Sequence, residues 1–145
     1  MNVELLYHTP DPQRAVATAA RLCYAPVGAA ELMETLSEER IEKVLRTILE
    51  SGHFSTLEHA SYTFAIDGVS RAMTHQLVRH RLASYNQQSQ RYVTFREEPE
   101  FIVPDSVVEA GAAEEYDAAV RAAFAAYADL VERGVPAEDA RYLLP

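Results

Sequence analysis

Arg79, His80 and Arg81 stand together at the head of the stretch RHRLASYNQQSQR, which closes on Arg91. Arginine forks grip carboxylates and phosphates through paired, charge-assisted hydrogen bonds. Between the cations, SYNQQSQ adds hydroxyl and carboxamide groups that both donate and accept, without a negative charge. That set suits phosphate oxygens together with a heterocycle presenting carbonyl and imide edges. The neighbourhood is equally one-sided. From Gly68 to Arg96 there is no Asp or Glu, yet Arg71, Arg79, Arg81, Arg91 and Arg96 fall inside, in a chain of formal net charge −9.

Simpler explanations exist for each part. A helix C-terminus favours cations through its dipole, so one arginine there needs no ligand. A polar run such as SYNQQSQ is also an ordinary surface loop. Tyr85 and Tyr92 serve equally well as core or rim aromatics. Ser89 could be a nucleophile with His80 as its base, but no glycine elbow surrounds it. His53, Glu58 and His59 in GHFSTLEHAS lack a known ligand spacing, so a structural or hydrogen-bonding role is expected and no metal. Cys23 stands alone, which excludes paired-cysteine zinc ligation and any intrachain disulfide. With five glycines and no glycine-rich loop, neither a Walker loop nor a dinucleotide fingerprint is present.

The positioning elements follow from pattern. VELLY reads as a short strand, and Asp11-Pro12 as the N-cap and first position of a helix running to about Cys23. Ser37 caps a second helix that carries Ile41, Val44, Leu45, Ile48 and Leu49 on one face and ends at Gly52. SYTFAI alternates Tyr62, Phe64 and Ile66, the period of a half-buried strand. Ser70 caps a helix expected to reach about Leu82, stacking Arg71, His75 and Arg79 at steps of four. RYVTF and EFIVP are expected as short strands. An Ala-rich helix is expected over roughly Ala113 to Arg133, with Tyr116, Val120, Phe124, Tyr127 and Val131 aligned. Gly134 stops it, and Pro136 opens a further turn. PAEDARYLLP then reads as the beginning of a helix with nothing to pack on, so the chain is expected to be a fragment. Strands and helices mix without regular alternation, which gives an α+β class with a small mixed or antiparallel sheet packed with helices.

Composition sets the outer bounds. At 145 residues, 48% hydrophobic and 24% charged, the chain suits one domain with a modest core. No run approaches the ~20 apolar residues of a membrane helix, and the N-terminus lacks a signal-peptide pattern, so a cytoplasmic protein without a membrane partner is expected. The acidic balance argues against a nucleic-acid partner while leaving room for a local pocket for a small anion.

Arg-His-Arg, seven residues and Ser (here Arg79, His80, Arg81 and Ser89) resemble the signature of flavin-dependent thymidylate synthases. The likeness extends to GHFSTLEHASYTF upstream and GVPAEDARYLLP at the end. It implies conversion of dUMP to dTMP, with methylenetetrahydrofolate as carbon donor, FAD carrying the hydride and NADPH reducing the flavin. It further implies a homotetramer with active sites between subunits. By the same resemblance, Ser55, Arg79, His80, Arg81, Gln87 and His53 match flavin-side positions. Gln76, Arg79, Gln87, Gln88, Ser89, Gln90, Arg91 and Arg141 match dUMP-side positions. Ser89 is then a substrate-orienting group, with backbone N–H groups around it as further donors, and Cys23 has no catalytic counterpart.

Two departures stand out. Gln87 replaces a Glu found in many relatives, an expected tuning. The family's uracil-polarising arginine falls beyond Pro145, so no catalytic residue is assigned, and 1–145 is expected to form one domain without its C-terminal part and without full activity. A non-catalytic nucleotide- or phosphate-binding module and an RNA-binding domain are the rival functions.

Overall fold

A computed structural model describes residues 1–95 and 100–144. They fall into two compact units, Asn2–Ile66 and the chain from Asp67 onward. Helices dominate, with one two-stranded antiparallel sheet among the described residues, so the expected α+β class holds.

In the first unit, β1 (Asn2–His8) pairs with β2 (Tyr62–Asp67). The pairing is extended beyond the strand ends, where Thr9 N–H donates to the Ser61 carbonyl (2.9 Å) and Ser61 N–H to Thr9 Oγ1 (2.9 Å). β2 alternates as expected, but its apolar side is not half-buried: Tyr62 and Phe64 keep 51% and 53% of their surface. A ribbon of two strands has no third strand and no packed layer over that face.

α1 (Pro12–Leu22) contacts α2 (Ala29–Thr35), α3 (Glu38–Ser51) and the 3₁₀ turn Phe54–His59. A helix touched on several sides must be slim, which is what its alanines allow. Val16, Ala17 and Thr18 are buried in succession, facing Leu32 of α2 and Ile41 and Ile48 of α3 as the rest of the core. Ile41 and Ile48 lie two helical turns apart on one face. Gly52 ends α3 at φ 71°, a left-handed value that costs glycine nothing. In this unit the sequence signals missed the 3₁₀ turn and α2, whose seven residues carry no side-chain cap.

Asp11, the N-cap of α1, also adopts a left-handed φ of 42°, which short polar side chains tolerate. Its carboxylate accepts from Arg14 Nε at 2.8 Å. The same guanidinium donates to the Leu36 carbonyl just past α2 (2.5 Å) and pairs with Glu38 in the first turn of α3. One side chain therefore ties the ends of three helices.

In the second unit, Ser70 Oγ accepts from Met73 N–H (3.1 Å) and caps α4 (Arg71–Leu77). α5 (Asp105–Glu109) is a single short turn that pattern did not foretell, and α6 (Ala113–Glu132) is the long helix expected. Val120 and Tyr127 are its buried residues, seven positions apart. α7 (Ala137–Ala140) and a 3₁₀ turn, Arg141–Leu143, fold back on α6 and bury Ala140 completely, so the C-terminal stretch does have a packing surface.

Replacing Arg14 with Ala should cost about 2 kcal/mol, since it removes charge-assisted hydrogen bonds in a half-buried setting. Urea unfolding should register the loss with an unchanged m-value, and Arg14→Lys should recover little of it because one ammonium cannot span the same acceptors.

Candidate functional site

The cationic stretch begins on α4, which is shorter than expected. The helix stops at Leu77, and the chain continues in i→i+3 turns: Arg79 N–H to the Gln76 carbonyl (3.1 Å) and His80 N–H to that of Leu77 (3.0 Å). The reason is packing. Val78 is 42% exposed and Leu82 fully so, leaving no buried face to stabilise a further helical turn. The anticipated stack of Arg71, His75 and Arg79 is thus cut before Arg79. Within α4, Arg71 Nε donates to His75 Nε2 at 3.1 Å, a geometry in which that ring nitrogen carries no proton and the two groups do not repel.

Arg79 and Arg81, with Val78 and Ala83, line an open cleft of about 720 Å³. His80 and Gln76 are exposed beside it in sequence. Exposed cations around an open hollow fit a phosphate or diphosphate without any covalent chemistry.

The loop that follows is tied down at two points. Gln87 Nε2 donates to Thr74 Oγ1 at 2.6 Å, and Thr74 in turn donates to the Arg71 carbonyl at 2.9 Å. A carboxylate at position 87 could not donate in this way. Further on, Ser89 Oγ accepts from the N–H groups of Arg91 (3.2 Å) and Tyr92 (3.4 Å), closing a tight turn. Those two backbone donors are therefore engaged by Ser89 and are not spare donors for a ligand. What Ser89 retains is its own hydroxyl proton. No base is hydrogen-bonded to it among the described residues, which disfavours the nucleophile reading. Gln88 is exposed and Gln90 half-buried on the same loop.

RYVTF and the described EFIVP residues form no strand. Phe95, the last residue of the first, is held by side chains instead. Its N–H donates to Tyr127 Oη (3.3 Å), and its ring meets those of Tyr127 and Phe124 edge-on at 6.4 and 6.2 Å. Arg96, part of the acid-free run, lies outside the described residues.

Arg141 rests on this cluster, its guanidinium carbon 4.3 Å from the Phe95 ring centroid. Nε and Nη1 are buried with no hydrogen-bond partner among the described residues. Burial pushes the guanidinium below its ordinary pKa, the Tyr127 phenol opposing this and the Arg71 charge adding to it. It remains a cation at neutral pH. Arg91 behaves differently: its Nε donates to Glu138 Oε2 at 2.5 Å, and its guanidinium lies 5.8 Å from the Tyr92 ring centroid.

His53 and Ser55 belong to the other unit. His53 N–H completes the end of α3 through the Ile48 carbonyl (3.1 Å), and its own carbonyl accepts from Thr56 Oγ1 (3.0 Å). Both side chains are exposed, as are Glu58 and His59. Among the described residues, no three His, Cys, Asp or Glu groups gather where they could hold a metal ion. No helix there is long and apolar enough to cross a membrane.

Sequence reasoning overlooked Phe95, Thr74 and Glu138, and it read Tyr127 only as core. Glu138 was detectable in AEDAR, three residues ahead of Arg141 and so one turn away if that segment is helical.

The second unit thus gathers exposed arginines and polar loop groups, a set whose chemistry suits an anion. The model of the family described as "Thymidylate synthase complementing protein" matches residues 4–145, and the chain belongs to that family. It is 56% identical over 148 residues to the flavin-dependent thymidylate synthase of Geobacter sulfurreducens, an alignment covering 100% of this chain and 63% of that protein. With the enzyme of the same name from Pyrococcus furiosus, identity is 42% over 149 residues, covering 100% and 61%. Among solved structures, the UMP/dUMP methylase PolB from Streptomyces cacaoi bound with 5-Br dUMP superposes with a TM-score of 0.79. It shows 28% identity, with 99% of this chain and 67% of that one covered. The chain thus spans about three fifths of the length of these curated relatives.

Arg141→Met should keep the apolar contact with Phe95 while removing a desolvated charge. Thermal stability should stay level or rise by about 1 kcal/mol. The upward shift in melting temperature given by inorganic phosphate to the parent chain should disappear in the variant.

Proposed function

We propose that the protein to which these residues belong methylates dUMP to dTMP, with methylenetetrahydrofolate as carbon donor. Arg141 carries the reading: a guanidinium held over an aromatic ring, whose buried Nε and Nη1 meet no acceptor among the described residues. Such an arrangement is costly unless an anion completes it.

In this reading Arg141, Arg91 and Ser89 receive the nucleotide phosphate, the last through its free hydroxyl proton. Gln76, Gln88 and Gln90 supply carboxamides for the uracil edges and sugar. Gln87, already donating to Thr74, holds the loop against α4 and can still offer its carbonyl. The cleft at Arg79 and Arg81 suits the diphosphate of FAD, with His80 next in sequence; His53 and Ser55, in the other unit, are flavin contacts by the family resemblance alone. FAD, when bound, would supply the hydride and be re-reduced by NADPH. The protein's own part is to bind, orient and exclude water. We place it in a homotetramer with active sites between subunits, in the cytoplasm. Residues 1–145 form the first part of one synthase domain, whose remaining length supplies the uracil-polarising arginine.

Visible absorbance after adding FAD and removing the excess tests this. A retained flavin band, strengthened by dUMP, is expected either for this chain or for one extended to the length of its relatives. A colourless protein in both forms overturns the reading. Residues 1–145 alone should turn over dUMP poorly if at all, a point checked by assaying dTMP from both forms.

A further inference from the structure

We infer that Glu138 is a positioning residue that aims Arg91 at the nucleotide phosphate, an inference that rests on the nucleotide reading above. Glu138 has no place in the cationic motif and carries the wrong charge for a phosphate site. Its contact with Arg91 is nevertheless specific. The carboxylate takes Nε, the inner edge of the guanidinium, at 2.5 Å. Neither terminal nitrogen of Arg91 has a hydrogen-bond partner among the described residues. The carboxylate thus occupies one edge and leaves the forked end free. That fork is the part which grips two phosphate oxygens at once.

The covalent setting adds to this. Glu138 lies on α7, three residues ahead of Arg141, and Ala140 between them is fully buried. Arg91 sits on the turn that Ser89 closes. The Glu138–Arg91 bridge therefore fastens that turn to the segment bearing the unpaired Arg141. Two arginines 50 residues apart in sequence are brought under one restraint. Both partners of the bridge are well exposed, at 66% and 47% of their side-chain surface, so it contributes little to folding. Its value lies in cutting the rotamer freedom Arg91 would otherwise lose on gripping a ligand.

A competing role is physically opposite. If Glu138 merely occupied the arginine in place of phosphate, its removal would strengthen anion binding. The chain, Glu138→Ala and Glu138→Gln should be titrated with dUMP and with deoxyuridine by calorimetry. We expect Ala to weaken dUMP about tenfold, the scale of one lost charge-assisted contact, with an unchanged melting temperature. Gln, which still accepts from Nε, should restore most of it, and deoxyuridine should bind all three alike. Unchanged or tighter dUMP binding by the Ala variant overturns the inference. A ligand-free readout separates its failure from that of the nucleotide reading. The Arg91 Nε proton should exchange slowly in the parent and Gln variant, and fast in Ala. If dUMP and deoxyuridine prove equivalent for the parent chain, the nucleotide reading fails. Equal exchange in all three refutes the positioning role on its own.

Discussion

The second unit is organised around a cation whose Nε and Nη1 find no acceptor among the described residues. Arg141 lies face-on to Phe95, and Phe95 is fixed by a hydrogen bond and an edge contact to Tyr127, the most deeply buried large side chain of α6. A cation over an aromatic ring gains roughly 0.5–2 kcal/mol. Each buried donor without a partner costs about 1–3 kcal/mol, and here there are two. The ring thus offsets part of what the two unpartnered nitrogens cost. Tyr127, Phe95 and Phe124 are therefore best understood as the structure that makes the strain tolerable.

Arg14 in the other unit is the informative contrast. Its side chain keeps 20% of its surface, and Asp11, Leu36 and Glu38 all receive its N–H groups. One arginine has its donors answered by helix ends and acids, the other by a ring that can accept only diffusely. Burial alone separates neither; partner count does. The same test sorts the cationic segment, where Arg91 gives one edge to a carboxylate and Arg71 donates Nε to the His75 ring.

Much of this was legible in the chain. Asp11-Pro12, Ser37, Gly52 and Ser70 are local signals, each decided by hydrogen bonds within a few residues, and the helix starts and the α3 end they mark appear where expected. The Arg79–Ser89 motif and the Arg141 segment carried the family likeness, which the match over residues 4–145 bears out. What failed was tertiary. The end of α4 depends on whether Val78 and Leu82 find a surface, which no cap residue announces. RYVTF has the composition of a strand, but its last N–H is claimed by a phenol 32 residues away. Strand propensity describes fitness for a half-buried pleat, and where no neighbouring strand is available the side chains choose other partners. Glu138 could be seen as a neighbour of Arg141, but not as the partner of Arg91, 47 positions earlier.

Charge explains why contact geometry must carry so much. With a net charge of −9, the chain as a whole repels a dianion at long range. Salt confines that repulsion to about 8 Å under physiological conditions. Inside that distance, the field is set by whichever side chains lie nearest, and from Gly68 to Arg96 none of them is acidic by sequence. An anion thus gains nothing from steering and nearly everything from the last few ångströms. In that regime, small errors in the aim of a flexible arginine are expensive. A carboxylate that fixes one edge of the fork can then help bind the very charge it repels, because it acts at the edge the ligand does not use.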